Sequence, residues 1–148
     1  MEKEVNSMTD KILIDTNVLV YGFENSDKFK QEKSMLVIEK SAVENNVFVS
    51  VQNMAELARV LTEKVKIKVP ANITQTYLLK MGNLFRRIFY DEFTIMNALD
   101  ISEKYKLHFF DALLVATMKE NGIKTIITEN DKDFEKIPFI KAVNPFRN

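Results

Sequence analysis

Two apolar runs open the patterned part of the chain, Ile12-Leu13-Ile14 and Val18-Leu19-Val20, with polar Asp15-Thr16-Asn17 between them. A short apolar run ending in a polar triplet predicts a buried strand with the triplet at its carboxyl end. Lys30 to Asn45 predicts a helix with Met35, Ile38 and Ala42 on one stripe, and Val47-Phe48-Val49 a second strand. Gln52 to Lys64 predicts an amphipathic helix, because Met54, Leu57, Ala58 and Leu61 recur at helical spacing. Glu56 lies off that stripe and shares the other face with Gln52, Asn53 and Arg59. Pro70 breaks the chain before a helix over Ile73 to Phe85. Ile88 to Ile95 fits either a short strand or neither regular form. Asn97 to Tyr105 reads as a helix with Ala98, Ile101 and Tyr105 aligned.

Asp111 opens Ala112 to Met118, which is apolar all the way round and therefore predicts a helix buried on most sides, ended by Gly122. Thr125 to Thr128 predicts a strand, Asp131 to Ile137 a helical turn and Phe139 to Val143 a last strand. Strands alternating with helices predict an α/β fold with one parallel sheet between helices. At 148 residues the chain reads as a single domain over 1–148, with 1–10 a charged, flexible leader.

Composition narrows the chemistry. There is no cysteine, which removes disulfides, zinc–thiolate sites and cysteine nucleophiles and suits a reducing cytoplasm. The single histidine, His108, cannot build a multi-histidine metal site. No apolar run approaches the ~18 residues of a membrane span. With 21 basic and 21 acidic residues the net charge is zero, so any nucleic-acid function rests on a local patch or a metal. Gly22, Gly82 and Gly122, the three glycines, cannot form a phosphate-cradling loop. No serine stands in a G-x-S-x-G elbow.

Carboxylates remain. Each has a structural explanation: Asp15 as an Asx-turn, Glu56 as the partner of Asn53 in a capping box or of Arg59 in an ion pair, Asp111 as a helix N-cap, and Glu129, Asp131 or Asp133 as a cap of the last turn. Together they form a pattern. Each falls at a strand end or at a helix start abutting the sheet, where ligands of open α/β sheets gather. Carboxylates converging there repel one another unless cations are present, and all-oxygen sites suit Mg2+ or Mn2+.

Four segments then resemble the PIN-domain family in order: Ile14-Asp15-Thr16-Asn17-Val18-Leu19, Ser50-Val51-Gln52-Asn53-Met54-Ala55-Glu56, Phe110-Asp111-Ala112-Leu113-Leu114 and Ile127-Thr128-Glu129-Asn130-Asp131-Lys132-Asp133-Phe134. Val143-Asn144-Pro145 resembles the family's closing strand. The resemblance implies a Rossmann-like α/β/α sandwich with a central parallel sheet. It implies Asp15, Glu56 and Asp111 as metal-binding catalytic residues, with Thr16 or Asn17, Ser50 and Thr128 in support. In the fourth motif Asn130 stands where many members carry aspartate, which leaves Asp131 or Asp133 as the fourth acid. The family's activity is RNA cleavage leaving a 5′-phosphate. A small stand-alone member is similar to the VapC toxins, which implies a homodimer, an RNA substrate and a VapB-type antitoxin.

Two features bear on partners. Lys64, Lys66, Lys68, Arg86 and Arg87 are candidates for a basic rim, or for solvated surface. Phe85, Phe89, Tyr90 and Phe93, beside Leu84 and Ile88, are either core or an apolar patch for a second subunit or an antitoxin helix. The competing readings are a PIN-like protein that binds RNA or a partner without cleaving, and a receiver or haloacid-type phosphatase. The last lacks its second acid, because Asn17 occupies that place.

Overall fold

The computed structural model describes residues 10–147; the leader expected over 1–10 falls, apart from Asp10, outside the described residues. Five strands form one sheet: β1 (Ile12–Ile14), β2 (Val47–Ser50), β3 (Arg86–Ile88), β4 (Thr125–Ile127) and β5 (Lys141–Val143). Their order is β3-β2-β1-β4-β5, and every neighbouring pair is parallel. The helices are α1 (Thr16–Phe23), α2 (Lys28–Glu44), α3 (Val51–Arg59), α4 (Ala71–Leu84), α5 (Glu92–Tyr105), α6 (Phe109–Glu120) and α7 (Asp131–Phe134). A π-helical turn over Val60–Lys64 continues α3.

Strand alternation divides the core into two layers. Ile14, Val47 and Val49 pack with Leu19, Leu57, Leu61, Met81 and Phe85 on one face. Leu13, Phe48 and Ile126 pack with Ala98 and the whole of Ala112 to Met118, except Thr117, on the other. Successive side chains of a strand point to opposite faces, so a sheet buried on both sides reads as a continuous apolar run. The fold is the expected α/β/α sandwich, and the apolar helix lies buried against the sheet as its pattern requires.

Several elements differ from the sequence reading. Val18-Leu19-Val20 lies in α1, where Val18 and Leu19 face the core one turn after Asp15. On α2 the buried positions are Ser34 and Ser41, with Ile38 half-buried between them, while Met35 is exposed. Gly22 explains the small residues there: a Cβ on it would stand 2.7 Å from Ile38 Cδ1, so α1 and α2 approach closely. The ambiguous segment resolves into β3, a short link and the start of α5, capped by Asp91. Its aromatic cluster splits: Phe85 and Ile88 are core, whereas Leu84, Phe89, Tyr90 and Phe93 are exposed. Gly122 ends α6 as expected, with φ +69°, in the left-handed region that favours glycine.

Candidate active site

The chain runs β1, β2, β3 outward on one side and then returns to place β4 and β5 on the other. The switch point therefore lies between β1 and β4, where open α/β sheets form their crevice. Asp15 stands at that point, directly after β1. Its N–H donates to the Ile127 carbonyl (2.9 Å), which fixes the backbone to β4. Its carboxylate accepts from the Thr16 N–H (2.7 Å) and from the Thr128 hydroxyl (2.8 Å). Asp15 thus holds the N-cap position of α1, where the sequence offered an Asx-turn, and also faces the crevice. Burial pushes its carboxyl up to about 6. The bonds from Thr128 and Thr16 oppose that rise, and the nearby charges of Asp111 and Glu56 add to it.

Glu56 is held by α3. That helix begins with a capping box between Ser50 and Asn53, not between Asn53 and Glu56: the Ser50 hydroxyl accepts from the Asn53 N–H (3.0 Å) and Asn53 Oδ1 accepts from the Ser50 N–H (3.2 Å). Arg59 does not pair with Glu56; its ion-pair partner is Glu63, at 3.6 Å. Glu56 is instead bound from two sides, by the Thr16 hydroxyl at Oε2 (2.9 Å) and by Gln52 Nε2 at Oε1 (2.9 Å). Gln52 Nε2 also donates to the Phe110 carbonyl (2.8 Å), so one amide joins Glu56 to the start of α6.

Gln52 and Asn53 are site residues that the amphipathic pattern hides. They sit on the polar side of the helix, yet both are buried. Asn53 Nδ2 donates to the Thr16 hydroxyl (2.9 Å) and lies 3.4 Å from Asp15 Oδ1. A polar face opposite an apolar stripe signals solvent only when nothing packs on it; here α1 and α6 do.

Asp111 is not the N-cap of its helix. α6 starts at Phe109, His108 holds the cap position without a side-chain cap bond, and Asp111 lies inside the first turn. An acid there interacts favourably with the helix dipole. Its carboxyl is nevertheless raised, first by burial, then by Asp133 and Glu56, with His108 acting in the opposite direction.

The fourth motif separates its residues. Thr128 is buried and bridges Asp15 to the Asn130 N–H, which donates to the Thr128 hydroxyl (3.0 Å). Asn130 lines the crevice. Asn17 Oδ1 accepts from the Glu129 N–H (3.2 Å), tying this loop to α1. The Glu129 side chain turns away to Tyr21 (3.0 Å) and to an ion pair with Lys30. Asp131 is buried and engaged by Asn144 Nδ2 (3.1 Å) and Arg147 Nη1 (2.8 Å), so it anchors the carboxyl-terminal segment and does not line the crevice. Asp133 is exposed and reaches the site only through its charge on Asp111.

The crevice has a volume of about 350 Å3 and is lined by Asp15, Thr16, Asn17, Val20, Tyr21, Glu56, Val60, Asp111 and Asn130. No lysine or arginine lines it. Lys66 and Lys68 border a different cavity with Phe23 and Tyr77, and Arg86 and Arg87 are exposed on β3. The polar groups of the crevice are oxygen donors and side-chain amides, the donor chemistry of a hard cation. Among the described residues, no three acidic or histidine side chains form a ready-made cage for an ion. Like charges in one crevice repel, and the bonds from Thr16, Thr128 and Gln52 take up the oxygens of Asp15 and Glu56. The lining fits a divalent cation in its donor chemistry.

Solved structures share this architecture. One, described as FitAB bound to an IR36 DNA fragment, is 21% identical, with a TM-score of 0.71 over 93% of this chain and 96% of that one. A toxin–antitoxin complex from Klebsiella pneumoniae is 22% identical, TM-score 0.66, over 93% of this chain and 100% of the other. VapC20 of Mycobacterium tuberculosis, described as a sarcin-ricin-loop-cleaving toxin, is 12% identical, TM-score 0.69, over 84% and 94%. At such identities these likenesses establish the fold. A comparison with curated proteins finds no match. The family model described as PIN domain matches residues 12–140, which takes in every element from β1 to the residue before β5, the crevice included. On that match, the chain belongs to the PIN domain family.

Proposed function

We propose that the protein is a metal-dependent endoribonuclease that cleaves single-stranded RNA, working as the toxin of a toxin–antitoxin pair. One observation carries the reading: Asp15, Glu56 and Asp111 line one crevice at the sheet's switch point with no basic side chain among them, and the carboxyls of Asp15 and Asp111 are raised there, first by burial and further by neighbouring acids. A fold does not need this arrangement, since a buried acid facing two half-buried ones costs stability. Asp15, Glu56 and Asp111 would hold Mg2+ or Mn2+. Such a cation, when bound, neutralises charge developing on the scissile phosphate and acidifies water.

The chain's own residues prepare the site. Thr128 and the Thr16 N–H fix the orientation of Asp15. The Thr16 hydroxyl and Gln52 hold Glu56. Asp133 adds negative charge beside Asp111 and is the fourth acid that the geometry favours, since Asp131 is committed to Arg147 and Asn144. Membership of the PIN family and the toxin–antitoxin complexes among the structural neighbours support the toxin role. The same neighbours support a VapB-type antitoxin as partner, and the exposed Phe89, Tyr90 and Phe93 support a homodimer of a single-domain chain. A cysteine-free chain suits the cytoplasm, and no described helix is long and apolar enough to cross a membrane.

The alternative, RNA or partner binding without catalysis, is favoured by the hydrogen bonds that already occupy the oxygens of Asp15 and Glu56. Incubation with a single-stranded RNA, with Mn2+ or with chelator, separates the two. The nuclease reading expects 5′-phosphate products only with the cation and none from Asp15→Asn. No cleavage with any divalent cation, or equal cleavage by the variant, supports the binding reading.

A further inference from the structure

The acidic crevice continues past Glu56. A second cavity of about 420 Å3 is lined by Thr16, Ala55, Glu56, Arg59, Val60 and Phe110. It shares Thr16, Glu56 and Val60 with the crevice, so the two are contiguous. Their chemistry differs. The crevice presents carboxyls; the second cavity presents apolar Ala55 and Val60, an aromatic ring and a guanidinium.

The ring belongs to Phe110, which precedes Asp111. Its backbone is pinned, because its carbonyl accepts from Gln52 Nε2. Its side chain is 60% exposed, while that of neighbouring Phe109 packs partly against the core and meets it edge-on, with centroids 5.3 Å apart. Phe110 is thus an aromatic surface on a fixed backbone, left open beside the acids. Arg59 is a mobile cation: its one described ion pair, with Glu63 on the next turn, is exposed at both ends and holds it weakly.

A stackable face beside an exposed, weakly paired guanidinium, next to a crevice for a phosphodiester, matches one chemical unit. We infer that the second cavity holds one nucleotide of single-stranded RNA, its base stacked on Phe110 and its phosphate paired with Arg59. The identity of the ligand rests on the ribonuclease reading above. Bases within a duplex are stacked on one another and offer no free face, so the site selects single strands. A phenylalanine on a fixed backbone has only two side-chain torsions to order on binding, which makes it an efficient platform.

The test reads binding, not cleavage. A fluorescein-labelled single-stranded RNA nonamer and its matched duplex are titrated with the full chain in chelator, and anisotropy is recorded. Phe110→Ala weakens single-strand binding by about 5- to 100-fold, the range for losing one base–aromatic stack. Phe110→Trp keeps the affinity and Phe110→Leu does not, which separates stacking from apolar contact. Arg59→Ala lowers the slope of log affinity against log salt by about 0.7, the signature of one single-strand phosphate contact. Melting curves of each variant check folding. The inference is overturned by three outcomes: no binding by the unaltered chain, full affinity in Phe110→Ala, or equal losses for duplex and single strand. The last outcomes leave the cavity to a protein partner. A chain that binds this way yet cleaves nothing keeps the subsite and loses the nuclease reading. A chain that cleaves but binds unchanged without the ring does the reverse.

Discussion

At the carboxyl end of the sheet, Asp15, Glu56 and Asp111 border a crevice of about 350 Å3; at the amino end, Lys11, Lys124 and Lys141 border a larger one of about 540 Å3. Both ends gather like charges, three acids at one and three lysines beside Asp10 at the other. They differ in what holds those charges. The lysines are exposed, and Lys11 simply gives its ammonium to the Asn121 carbonyl (3.0 Å) at the end of α6. Water screens such groups, and their mutual repulsion is small. Asp15 is buried, and Thr16, Thr128, Gln52 and Asn53 form a connected network around it and Glu56. Cavity size therefore does not locate the function. An electrostatic cost that the fold maintains with dedicated hydrogen bonds does.

The largest break in that comparison comes from neutralising one acid. Asp15→Asn or Asp111→Asn removes RNA cleavage, a loss expected to exceed about 100-fold, because the charge and not the shape is deleted. Without metal both variants melt no lower than the parent. Lys124→Ala, at the other end, changes neither activity nor stability by more than about 0.5 kcal/mol. Paired activity assays and melts read both; a comparable loss from Lys124→Ala erases the contrast between the ends.

The next effect is on pH. The Asp15 carboxyl is raised from 3.8 to about 6 in the folded chain. Between those values the folded state binds the proton more tightly than the unfolded one. In chelator, stability thus falls as pH rises through that window, by about 3 kcal/mol in all, and levels off above it. Denaturant melts from pH 4 to 7 measure this. The slope shrinks in Asp15→Asn to the part owed to Asp111, whose carboxyl is also raised, and an unchanged slope there assigns the proton to another group.

Smaller effects sharpen the role of the supporting network. Gln52→Leu keeps the volume but frees Glu56 from the start of α6; activity or metal affinity falls by about 10- to 100-fold, as for other partners that orient ligands. Arg147→Ala acts differently. It leaves Asp131 with Asn144 alone and costs about 1–2 kcal/mol, because Arg147 is half exposed. Cleavage per folded molecule stays unchanged. If activity falls with Arg147→Ala at full folding, Asp131 belongs to the site after all.

What was legible in the sequence follows the same physics. Asp15 stands out because three polar residues interrupt two apolar runs, and the helix after Asp111 because its positions Ala112 to Met118 are apolar all the way round apart from Thr117. Local patterns carry that information. α1 was not legible, since a three-residue apolar run has no readable period. Gln52 and Asn53 were not, because burial of a polar helix face depends on α1 and α6 packing over it. Asp111 looks like a cap because the true start, at Phe109, carries no cap bond to announce it. The commitment of Asp131 is invisible because its partner Arg147 lies 16 residues away and meets it only in the fold.

The central claim, that the acidic end of the sheet is a cation centre, is tested most directly by calorimetric titration of Mn2+ into the chain near pH 6. There Asp15 is partly protonated in the free protein, so binding must release a proton, and the measured heat depends on the buffer's ionisation enthalpy. The account predicts saturable binding with proton release in the parent and in Lys124→Ala, and neither in Asp15→Asn. Binding that is absent from the parent, or that persists unchanged in Asp15→Asn, contradicts it.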